Sequence, residues 1–199
     1  MLPKVRFVYS GIYDQGYRNS LKIQENLKKQ NKEYPSVGEI KKYIKKIENI
    51  WKKEGNKILN SISKASGLKW KDKEIKVYVI GVGNPFSDPL TLPIWKNTNG
   101  FIDTLTHELI HGIQAQNQEK FQKWRNQLDR QYKKENETTK NHIFLHAVHK
   151  KVYLEIFSEK RLKNDLKKCE KYPDYTSSWQ IVETEGYKNI INKFRELTK

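Results

Sequence analysis

Residues 101–116 read FIDTLTHELIHGIQAQ. Ile102, Leu105, Leu109 and Ile113 recur at three- and four-residue spacing, the period of one helix face. At about 100° per residue, His107 and His111 fall nearly opposite that stripe. The stretch predicts a helix that buries one side and turns two imidazoles, one turn apart, toward a cleft. Four residues is the helical spacing at which two side chains can reach one ion. Glu108 cannot easily share that ion, but it is placed to take a proton from a water there. All five histidines of the chain lie between His107 and His149. Surface histidines scattered by chance would not be confined this way.

Upstream, KVRFVY (residues 4–9) alternates as a short strand, and DQGYRN reads as a turn. Ser36 follows Pro35 and can cap a long helix carrying Ile40, Ile44, Ile47, Trp51, Ile58 and Ile62. Gly55 is a weak point inside that helix, and Gly67 a natural stop. EIKVYVIG (residues 74–81) is the clearest strand. The next stretch, residues 83–100, holds three prolines and two glycines. It reads as a loop with one short edge strand around LTLPIW, since proline does not sit in a central ladder. Downstream the chain reads as helices, over about 101–116, 119–134, 139–157, 158–171 and 179–197. Strands and a helix first, helices after, predict an α+β fold in a single domain, 1–199. Within it, residues 1–100 form the helix-and-sheet part, 101–157 the metal-site helices and 158–199 the C-terminal helices.

The motif HELIHGIQ resembles the active-site helix of the zincin metallopeptidases. The likeness extends to the layout before it, because zincins place a small sheet with an edge strand ahead of that helix. EIKVYVIG and LTLPIW correspond to those elements. Outside about residues 74–116 the likeness is one of layout. The length is similar to small intracellular branches, the SprT-like proteases and the minigluzincins. The resemblance implies zinc held by His107 and His111, with Glu108 as general base, in a hydrolase of peptide bonds. It also implies a third ligand further along the chain, a histidine in SprT-like proteases and a glutamate in gluzincins. The extended metzincin pattern needs a histidine at position 117, which is Asn.

A catalytic zinc site keeps three protein ligands and one open position. The stretch NHIFLHAVHKKVY (residues 141–153) offers His142, His146 and His149, with Tyr153 beyond. On a helix these four share one face within about 60° of one another. His146 leads as third ligand, being central on that face and followed by the small Ala147, with His142 as the alternative. The glutamate candidates are Glu135, Glu137, Glu183 and Glu185. Histidines left over, His142 or His149, and the phenol of Tyr153 suit a role behind the ligands or at an oxyanion. A peptide or protein substrate is expected to add to the edge strand near Leu90–Trp95.

Composition sets the limits around this reading. The 199 residues carry 39 Lys and Arg against 23 Asp and Glu, a formal net charge of +16. One cysteine, Cys169, excludes a disulfide scaffold and any site built on several thiolates. No apolar run nears the ~20 residues of a membrane span, and the N-terminus has no signal-like segment, so a cytoplasmic protein away from membranes is expected. Lysines interleaved with Trp51, Trp70, Trp124 and Trp179 raise a second possibility, weak non-specific binding of nucleic acid. The alternative function is accordingly a non-enzymatic basic nucleic-acid-binding protein with a structural metal site.

Overall fold

The computed structural model describes every residue from Met1 to Lys199. The elements run β1 (Lys4–Val8), α1 (Gly11–Arg18), α2 (Leu21–Lys29), α3 (Val37–Ser66), β2 (Glu74–Ile80), β3 (Phe86–Ser87), β4 (Leu90–Pro93), α4 (Thr98–Ala115), α5 (Gln118–Gln131), α6 (Glu137–Ile156), α7 (Glu159–Cys169), α8 (Pro173–Glu185) and α9 (Tyr187–Leu197). Helices dominate and the strands make one small mixed sheet, so the fold is α+β. The chain divides into two compact units. One comprises residues 1–56 and 72–109, the other 57–71 and 110–199. Two of the three borders fall inside α3 and α4 and the third between α3 and β2, so the units do not follow the sequence parts 1–100, 101–157 and 158–199.

In the first unit the strand order is β1-β2-β4-β3. β1 and β4 each pair parallel with β2, and β3 pairs antiparallel with β4. Strand alternation then sorts the faces. Phe7, Val77, Val79 and Leu92 share one face, where Phe7 meets the rings of Trp51 on α3 and Phe101 on α4. Tyr78 and Thr91 share the other, where Tyr13 of α1 packs on Tyr78 and bonds the Thr91 hydroxyl at 2.9 Å. The expected edge strand around LTLPIW is corrected by this order. β4 lies between β2 and β3 with all four residues buried, and the edges are the two-residue β3 on that side and β1 on the other. Proline is tolerated because Pro93 ends the strand, and Ile94 resumes the ladder by donating its N–H to Ile80.

The DQGYRN segment, expected as a turn, is the body of α1. Ser10 caps it by accepting the N–H of Tyr13. Asp14, fully buried, then anchors it. Its carboxylate accepts from Tyr34 (2.6 Å), the Gly81 N–H (3.0 Å), Tyr9 (3.2 Å) and Arg18 (3.2 Å). α3 begins at a capping box: Glu39 accepts from the Ser36 N–H and hydroxyl, each at 2.7 Å. These bonds hold the exposed Glu39 carboxyl below the usual range. The helix stops at Gly67, whose φ of 74° is left-handed.

In the second unit α6 is central and packs against α5, α7, α8 and α9. Phe121, Trp124, Phe144 and Phe194 join α5, α6 and α9 in one aromatic cluster. The end of α3 adds Ile58, Leu59, Ile62 and Ala65 to this core, each at most 1% exposed. Asn117 and Arg195 bind the carbonyls of Lys69 and Ala65, which fastens that segment. The helix expected over 179–197 is two helices, α8 and α9, because Gly186 turns the chain at φ 81°.

Candidate metal centre

α4 is buried around most of its circumference. Phe101, Ile102, Leu105, Leu109, Ile110 and Ile113 are at most 1% exposed. The one partly open stripe runs Thr104, His107, His111, at spacings of three and four. The two imidazoles thus stand where the helix is accessible. Glu108 sits beside them, almost completely buried. Loss of hydration pushes its carboxyl up to about 7.

α6 supplies the third imidazole. Asn136 caps this helix by accepting the Thr139 N–H at 2.9 Å. One turn in, His142 faces His111, their ring centroids 5.0 Å apart and nearly perpendicular. His107, His111 and His142 each offer a ring nitrogen, and these nitrogens lie within 4.8 Å of one another. His142 Nδ1 is 2.7 Å from the Thr138 carbonyl, which can only accept, so Nδ1 carries the proton and Nε2 keeps its lone pair. A histidine that binds metal characteristically has its other nitrogen held in this way. Burial depresses the pKa of His111 to about 3 and lowers that of His142, so both rings are neutral at pH 7. Three imidazoles on two helices could hold a divalent metal ion, the donor set suiting zinc and its first-row neighbours.

His146, which the sequence placed ahead of His142, is elsewhere. Its Nδ1 lies 2.7 Å from the Ser178 hydroxyl and its ring stacks on Trp179 at 4.2 Å and 11°. It is 1% exposed. The reason is that α6 is not one-sided. His142 to His149 are buried without a break, and α8 covers the turns beyond His142. His149 and Tyr153 meet edge to face, ring centroids 4.6 Å apart and inclined 73°, and both are buried. They stand about 10 and 16 Å along the helix from His142. Three of the four candidate glutamates are engaged with cations: Glu137 with Arg125 and Lys140, Glu183 with Lys150, Glu185 with Lys193. Tyr175 and Ser178, which touch the α6 histidines, were not singled out from sequence. Their only signal is a three-residue spacing in PDYTSSW, common on any helix.

Comparison of the chain with protein-family models, curated protein sequences and solved structures finds no match. No helix is long and apolar enough to cross a membrane.

Proposed function

We propose that this protein is a zinc-dependent metallopeptidase. The observation that carries the reading is the convergence of His107, His111 and His142 beside the buried carboxyl of Glu108. The motif HELIHGIQ, similar to the zincin active-site helix, supports it. Three protein ligands leave a coordination position open, as catalytic sites require.

His107, His111 and His142 would hold the ion. When bound, it supplies Lewis-acid polarisation of a carbonyl and acidifies a water. Glu108, with a carboxyl near 7, accepts a proton from the attacking water at a carboxylate oxygen. It then returns that proton to the leaving amine. His142, fixed by the Thr138 carbonyl, keeps Nε2 directed to the site without reorganisation. An extended substrate would pair with the sheet edge next to β4, which is β3 rather than β4 itself.

The test is metal analysis of the purified chain combined with peptide cleavage. Zinc at about one equivalent, cleavage abolished by a chelator and restored by zinc, is the expected result. Protein that retains zinc, cleaves no peptide and is held on duplex DNA at low salt would instead fit the nucleic-acid-binding alternative. Protein that takes up no metal would overturn the site itself.

A further inference from the structure

α8 lies along α6 in the same direction, and their contacts form a ladder. Asn136 donates to Asp174 Oδ1 at 2.7 Å, and the Thr139 hydroxyl to the Asp174 carbonyl at 3.2 Å. One turn on, the Tyr175 ring lies on the His142 ring, centroids 4.3 Å apart and 35° inclined. Next come Ser178 and Trp179 on His146, and last Lys150 donating to Glu183 at 2.6 Å. Each rung joins positions that advance together along both helices.

The middle rungs carry directional information. The Ser178 hydroxyl donates to the Tyr175 carbonyl at 2.9 Å, which commits its only proton. Toward His146 it must accept, so His146 Nδ1 bears the hydrogen. The tautomer of His146 is thereby set from α8, and its ring plane by the Trp179 stack. His146 in turn lies 5.3 Å from His142, ring to ring. Tyr175, which is half-buried, touches both rings, its centroid 4.3 Å from that of His142 and 5.7 Å from that of His146.

We propose that α8 is the positioning element of the metal centre: Tyr175 directly, and Ser178 with Trp179 through His146, hold His142 in its ligating orientation. This rests on the metal-site reading above and assigns α8 residues that make no contact with the ion. The ring of Tyr175 does the work, since it is the ring that lies on His142. Partners behind metal-bound histidines typically change metal affinity by about 10- to 100-fold.

Cobalt(II) titration tests this, because visible absorption reports both affinity and coordination geometry. Tyr175→Leu should raise the cobalt dissociation constant about 10-fold and alter the absorption band. Tyr175→Phe keeps the ring and should bind as the wild type does. Ser178→Ala, an independent variant, should shift affinity in the same direction as Tyr175→Leu. A purely structural role would lower the melting temperature of the metal-free variants and leave cobalt affinity within twofold of wild type. That result overturns the proposal, as does equal weakening by Tyr175→Phe and Tyr175→Leu. Wild-type protein that binds no cobalt overturns the metal site instead, a separate outcome.

Discussion

Glu108 concentrates the proposed chemistry in one side chain. Replacing it with Gln keeps its volume and its place on α4 but removes the base. Glu108→Gln is therefore expected to retain zinc and lose about 100- to 10,000-fold in peptide hydrolysis, read from metal analysis and kcat. The histidines make a second prediction, about stability. In the metal-free fold His111, His142 and His146 are kept neutral by burial, whereas in the unfolded chain they titrate near 6.5. Below that pH the unfolded chain binds more protons, so stability falls as pH drops. Glu108 acts oppositely. Its raised pKa means the folded state takes up a proton first, and stability rises between pH 7 and about 4.5. Three groups against one leave a net loss of stability as the pH falls from 7 toward 5.5. Melting curves of chelator-treated protein from pH 7.5 to 5 should show it. A flat profile would mean the rings are not buried as neutral imidazoles. The pair His107 and His111 was legible in sequence because one helix alone sets their spacing. The choice of His142 over His146 was not. Both share a face of α6, and which turn of that face meets α4 depends on where α8 docks.

At the scale of elements, α3 shows how packing can reverse a local preference. Gly55 lies in its interior, where alanine ordinarily gains about 1 kcal/mol. Here a Cβ at residue 55 would run into the Trp51 indole, which is itself wedged against Phe7. Gly55→Ala is expected to destabilise by about 1–3 kcal/mol, measured as a lower denaturant midpoint. A gain in stability would show that the indole moves freely. The long helices α3 and α4 were readable from periodicity and from Ser36 and Gly67 at the ends of α3. α1 was not. Its two glycines, Gly11 and Gly16, resemble a turn locally, and the helix is secured by Asp14 bonding Tyr34 and Gly81, far away in sequence. The place of β4 inside the sheet was hidden for the same reason. Strand neighbours are set by non-local pairing, and nothing within LTLPIW says that β3 will fold back across it.

Across the whole molecule, neither unit is a continuous piece of sequence. Residues 57–71 belong with residues 110–199. Trp70 closes on the Leu59 carbonyl within the early segment, but its other partners come late: Glu155 bonds Ser61, Arg195 binds Ala65, and Asn117 binds Lys69. A fragment ending at residue 109 keeps Ile58, Leu59 and Ile62 and loses what covers them. It is expected to bind a hydrophobic dye and aggregate, while the full chain does neither. A soluble, dye-silent fragment would contradict this.

During translation the same arrangement imposes a waiting period. The second half of α3 leaves the ribosome well before Arg195 has been made, so a greasy stretch of about two turns must stay out of trouble until that residue is added. Lys57 and Lys64 flank it. Their charges offer that nascent segment its solubility until the C-terminal helices arrive.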